Sequence, residues 1–305
     1  MRGRKILVIV GYGAFALVSL VFGLYLTFPA DAVGQRLAQE VSKASQGSVT
    51  VSFDSVSPYR LSGIAAEGVR IRMAQAGEQP REIKLKAVRA RLRLLPLLWL
   101  STSLDAVVDT GGGTVAARFT PHSDKGFFAS LAFDDFDLGE PPALAPLLGV
   151  QLGGVLNGEI SAEWSPDPRK SVGKGALKLA GALVEGAVQG VTIPRVGVGD
   201  IALELALDTG RMRVASFTQK GGDIEVRLSG SSAVRPEFAQ SSLEACVELR
   251  PEAKFLDRDP KMRAAAQLAE VRLRKSPEGF LSVPLSGTLG SPRLRYGLCH
   301  AGGRE

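Results

Sequence analysis

The sequence predicts a mainly β protein, a large twisted antiparallel sheet with a few short helices, preceded by one membrane-spanning helix. Three observations carry this. Apolar residues recur at every second position through much of the chain, as in Val49, Val51 and Phe53 or Ile201, Leu203, Leu205 and Leu207, which is the spacing of strands with one buried face. Glycine is abundant at 35 residues while aromatics make up only 6%, a balance that suits many strands joined by tight turns better than packed helices. Residues 6–28 hold no charged side chain at all.

That uncharged run, ILVIVGYGAFALVSLVFGLYLTF, covers the roughly 30 Å hydrocarbon core of a bilayer at about 1.5 Å per residue. Gly11, Gly13 and Gly23 would weaken a helix in water, yet glycine is frequent in membrane helices, where lipid forces every backbone group to bond internally. As a cleaved signal peptide the run is too long, and Phe28-Pro29-Ala30 is a poor cleavage site. Arg2, Arg4 and Lys5 precede it and Asp31 follows it. The positive-inside rule therefore puts residues 1–5 in the cytoplasm and everything past residue 30 in the periplasm, as a single-pass protein of a bacterial inner membrane.

Residues 29–46 follow as a short amphipathic helix, with Val33, Leu37 and Val41 at four-residue spacing and Gly47 as its stop. Its apolar stripe caps the following sheet or meets a partner helix in the membrane plane. Residues 47–298 form the β-rich domain, and residues 299–305 a flexible tail. Within the domain, Val69, Ile71 and Met73 and then Ile83 and Leu85 continue the alternation. The apolar phase slips between Ala87 and Val88, which predicts a β-bulge or a change of face.

Leu95, Leu97, Leu98, Trp99 and Leu100 make a run too short to span a bilayer. It is either a turn plugging the end of the sheet or a patch that dips into membrane or grips a partner. Turns are expected at Gly111-Gly112-Gly113, Asp208-Thr209-Gly210 and Lys220-Gly221-Gly222. The Pro-Asp-Pro run at 166–168 marks an exposed loop and a possible boundary between two halves of the sheet near 165–172. Helix signals remain at 143–148 and 259–268, and 236–249 is ambiguous. The motif Leu-x-Gly recurs at irregular intervals, so it is no solenoid repeat.

Charge and motif content limit the chemistry. The formal charge of +6 comes from 37 Lys and Arg against 31 Asp and Glu, and its N-terminal share belongs to topology. No basic run is interleaved with aromatics, so no nucleic-acid partner is expected. His122 and His300 are the only histidines and lie far apart; with no HExxH, GxSxG or SxxK, no catalytic residue, metal site or cofactor is expected. His122 sits in turn chemistry, and Asp134, Asp135 and Asp137 lack the glycine and distal Glu of a calcium loop. Cys246 and Cys299 either form a disulfide, which the periplasm permits, or stay as two buried thiols.

A sheet of this size must cover its apolar face. It can do so by closing as a sandwich or barrel, or it can stay an open trough whose interior meets acyl chains or another protein; alternation fits both.

The order of features resembles the type II secretion system protein N family, in its longer form. The resemblance rests on VTVSFDSVSPYRLSGIAAEGVRIR, on IKLKAVRARLRL running into LPLLWL, and on the closing VPLSGTLGSPRLRY. These pieces are also similar to the AsmA and TamB superfamily of periplasmic lipid-transfer proteins. The resemblance implies an accessory, non-enzymatic component of the type II secretion apparatus, anchored in the inner membrane and contacting other components of it. By fold analogy it also implies a trough able to bind or transfer phospholipid. It carries no catalytic residues over.

Overall fold

A computed structural model of the chain describes residues 27–299 apart from 46, 48, 61, 74–80, 94–101, 123, 140–149, 189–190, 236, 238–239, 259–262, 264–265, 268–272 and 296; before residue 27 it describes Tyr12, Phe15, Ser19, Phe22 and Gly23. Those five early residues are helical, with Tyr12, Phe15 and Phe22 exposed. No helix among the described residues is long and apolar enough to cross a membrane. The rest of the expected anchor, the topology residues Arg2, Arg4 and Lys5, the patch Leu95, Leu97, Leu98, Trp99 and Leu100, and the expected helix at 143–148 lie outside the described residues.

Helix α1 (Ala30–Ala44) starts behind Pro29 without a side-chain cap. Strands β1 (Val49–Ser52) and β2 (Ser55–Tyr59) both pair with β3 (Gly63–Met73) and act as one edge strand broken at Phe53-Asp54. From there the chain is a meander. β4 (Arg81–Leu92), β5 (Leu104–Asp109), β6 (Thr114–Pro121), β7 (Phe127–Asp137), β8 (Val150–Trp164), β9 (Val172–Val188) and β10 (Val191–Asp208) follow, each antiparallel to the strand before it. β11 (Arg211–Lys220), β12 (Ile224–Ala233) and β13 (Ser242–Pro251) continue it, and β15 (Leu281–Thr288) closes it, edged by the short β14 (Arg274–Lys275) and β16 (Ser291–Leu294).

Among the described residues the result is one 16-stranded sheet with two free margins. The expectation that it might close as a barrel is overturned: β1 and β2 do not pair with β14 or β16. Broken margins explain why closure fails, since neither end offers a long unpaired strand to zip against the other.

Two local expectations are also revised. At the phase slip in β4, pairing with β3 runs in unbroken register from Gly63↔Arg91 to Met73↔Arg81. There is no bulge at Ala87-Val88; the apolar side changes face. Helix α2 (Ala253–Arg258) precedes the expected 259–268 helix, of which Arg263, Ala266 and Gln267 are helical. The 236–249 stretch contributes β13, and the Pro-Asp-Pro loop is the β8–β9 connection, with a 3-10 turn at Pro168–Lys170 inside the continuous sheet.

The Leu-x-Gly glycines lie within strands rather than between them. Gly154 (φ +120°), Gly158 (+136°), Gly181 (+61°) and Gly287 (+107°) occupy backbone conformations that side chains avoid. At Gly158 space is also lacking, since a Cβ there would sit 2.1 Å from the carbonyl oxygen of Ala176 on β9. Register shifts cluster at the same level, between Gly153 and Val155 on β8 and around Gly199 on β10. Aligned irregularities bend neighbouring long strands together and give the sheet curvature.

Candidate apolar trough

Cross-strand register sorts the side chains into two faces. On one face Ala106, Ala117, Leu131 and Ile160 stand opposite one another across β5 to β8, and beside them Val88, Val108, Val115 and Phe133 make a second row. Leu177, Leu203 and Phe217 continue the apolar face through β9 to β11. The other face reads Arg91, Asp105, Arg118, Ser130, Ser161 and Lys174.

The apolar face is not covered by a second layer among the described residues. Only eight described hydrophobic residues are buried, Ala66, Val69, Ala87, Ala182, Val196, Phe255, Phe280 and Leu281, and few of them lie on the central strands. The alternating leucines and valines of β5 to β11 are half-buried by their neighbours alone. A concave depression of about 360 Å³ lies on this face, lined among others by Leu104, Ala106, Ala117, Phe119, Leu131 and Ile160.

Polar groups are held on the opposite face. The Asp105 carboxylate, 11% exposed, takes Arg118 Nε at 2.9 Å and Arg91 at 3.0 Å, with Arg93 Nε at 3.7 Å. Burial works against its charge, but the hydrogen bonds from Arg118 and Arg91 and the charges of Arg118 and Arg93 outweigh it and hold the carboxyl below its ordinary value. Arg91 on β4, Arg93 just beyond it and Arg118 on β6 thus share one nearly buried acid.

Cys246 on β13 and Cys299 after β16 form a disulfide, with Cα atoms 5.8 Å apart. The Glu248 carboxylate lies within 4.8 Å of both sulfurs, but with the sulfurs bonded to each other the group offers no thiolate to a metal. His122 is exposed in the β6–β7 connection, and His300 lies outside the described residues. Asp134, Asp135 and Asp137 lie at the end of β7, which runs into a turn at Leu138-Gly139. The register of β7 against β8 shifts between Phe133 and Phe136, and Asn157 brackets Asp135 there, accepting from its N–H at 2.8 Å and donating to its carboxylate at 3.1 Å.

A sheet that does not close as a barrel was one of the alternatives open in the sequence. What the alternation could not supply was the line of in-strand glycines, which the Leu-x-Gly recurrence signals once it is read as curvature. Comparison with protein-family models, with curated proteins and with solved structures finds no match to this chain.

Proposed function

We propose that this chain is a membrane-anchored envelope protein that works without catalysis, its open sheet face holding the acyl chains of phospholipid. One observation carries the reading: a continuous apolar face across β5 to β11, concave over β5 to β8, that the described chain leaves uncovered. Apolar surface of this extent is costly in water at about 25 cal/mol per Å², so it needs an apolar occupant, and a long shallow trough fits a chain-like one. Residues 6–28 supply the anchor in this reading, with residues 1–5 in the cytoplasm and the sheet in the periplasm.

Full-length protein should release phospholipid in native mass spectrometry. Leu177→Glu, which puts a charge in the middle of the trough, should lose that lipid while lipids around the anchor stay. Wild-type protein that carries no more lipid than Leu177→Glu would end the proposal.

The resemblance of LPLLWL and LSGTLGSP to the type II secretion system protein N family favours a setting for this trough, as an accessory component of the secretion machine. Deleting the gene should then strand folded exoproteins in the periplasm, and normal secretion from the deletion strain would remove that setting without touching lipid binding.

A further inference from the structure

Charge is unevenly distributed along the strands. The connections at one end of the sheet carry Arg60, Lys125, Arg169 and Lys170, all exposed. Their acids, Asp124 and Asp167, accept backbone N–H groups of Gly126 and Arg169 within the same turns, at 3.0 and 3.1 Å; farther along, Asp208 stands opposite Arg211 at the β10–β11 turn and Glu237 accompanies Arg235 in the β12–β13 connection. At the other end, among the described residues, Asp109 and Asp137 flank the connections of β5 to β8, while farther along Asp223, Glu252 and Asp257 are mixed with Lys220, Lys254, Arg274 and Lys275.

The basic end is also the apolar and aromatic end. Leu92, Leu104 and Phe119 pair across β4 to β6 there and are 48%, 41% and 43% exposed. Phe127 continues the row with its ring 5.3 Å from Phe119 and 6.4 Å from Trp164. On the reverse face, one residue along, stand Arg93 and Arg118, each bringing roughly five N–H donors to the single carboxylate they share with Arg91. Because the sheet is one layer thick, both faces meet at its rim. Seen end-on, the rim offers guanidinium groups, leucines and aromatic rings together, the mixture that suits a bilayer's headgroup region.

Helix α1 fixes which end the N-terminal segment leaves from. Its last turn abuts the start of β1, where the Val49 N–H donates to Ser45 Oγ at 3.1 Å. A Cβ on Gly34 would lie 3.2 Å from Val56 and 3.8 Å from Phe53. The helix therefore runs antiparallel to β1 and β2, and its first residue lies toward the end where Tyr59 pairs with Gly63 and Gly63 with Arg91. That is the basic end.

We propose that this rim, from the β2–β3 turn to the β8–β9 turn, rests on an anionic phospholipid surface, the membrane from which residues 6–28 emerge. The inference rests on the anchored reading above. Docked this way, the trough opens at the bilayer and its strands stand away from it, with the opposite end outermost.

The test uses full-length protein carrying Trp99→Phe, so that Trp164 is the single indole, in nanodiscs whose lipids are brominated along the acyl chains. In phosphatidylglycerol discs Trp164 should be quenched, and in phosphatidylcholine discs much less so. Adding Arg93→Gln, Arg169→Gln and Lys170→Gln should abolish the difference, because each basic residue at an anionic surface changes docking about fivefold and the three together about a hundredfold. Quenching that is equal in both discs and indifferent to the three substitutions would mean that lipid reaches Trp164 along the trough without the rim docking. That result overturns this inference and leaves the lipid-holding reading intact; absence of quenching in every disc overturns it as well.

Discussion

Replacing Cys246 and Cys299 together by serine is expected to destabilise the protein by about 4 kcal/mol. The disulfide spans 53 residues, and in the chain-entropy treatment closing a loop of that length restricts the unfolded chain by roughly this amount. The loop encloses α2, β14, β15 and β16, so the bond ties the whole C-terminal margin to β13. This margin needs it. β16 is exposed along its length, Leu294 is 57% exposed, and the two short edge strands bring few side chains to a core. Urea unfolding of the double variant, compared with parent protein under non-reducing conditions, reads the effect. A midpoint unchanged by the substitutions would show that the margin is held by its ladder alone.

Phe280→Ala is expected to be of similar size, about 3 to 5 kcal/mol, the range for a fully buried aromatic reduced to a methyl group. Phe280 is the largest fully buried side chain among the described residues. Its burial comes from an unusual source for a core position. Arg227 on β12 and Arg250 on β13 place their guanidinium carbons 4.0 and 4.4 Å from the ring centroid, and their charges are answered by Glu225 and Glu278. The proximity of Glu278 raises the Arg227 pKa further. The backbone around Phe280 is locked by the Ser276 N–H donating to the Phe280 carbonyl at 2.7 Å, with the Phe280 N–H returning to Ser276 Oγ at 3.2 Å. Phe280→Leu keeps most of the apolar volume and removes the ring face, so it should lose about 1 to 2 kcal/mol from the two cation–π contacts. Equal losses for Ala and Leu would mean that the ring's electron face carries the effect and the volume little; no loss for Leu would mean the reverse.

Much of the sheet was legible because alternation is a direct consequence of the pleat. Ile201 to Leu207 and Met212 to Val214 fall on β10 and β11, and Thr209 and Gly210 between them both take positive φ, the two-residue turn that matches strand twist. Three features were not legible, each for a physical reason. The slip at Ala87-Val88 looks the same in sequence whether the backbone bulges or the buried side changes, and only the register with β3 separates the two. Helix α2 is six residues long, too short to display a period, and the nearby Asp259-Pro260 pair drew the expected start past it. The glycines of Leu-x-Gly resemble turn residues, because turns and in-strand bends demand the same φ. The trough was legible only as one of two outcomes, since a strand buried by a facing sheet and a strand left for a ligand share one pattern. What separates them is burial, since most leucines and valines of β5 to β11 are only half-buried, and the interrupted margins, β1 with β2 and β14 with β16, exclude closure as a barrel.

Acyl chains on the inner face of the sheet can be sought directly in living cells, with a photo-activatable benzophenone amino acid placed first at Leu177 and then at its neighbour Lys178 on the opposite face. Irradiation should attach phospholipid to the protein labelled at 177 and leave the protein labelled at 178 free of it. Equal attachment at both positions, or attachment at 178 alone, would contradict a lipid-holding trough.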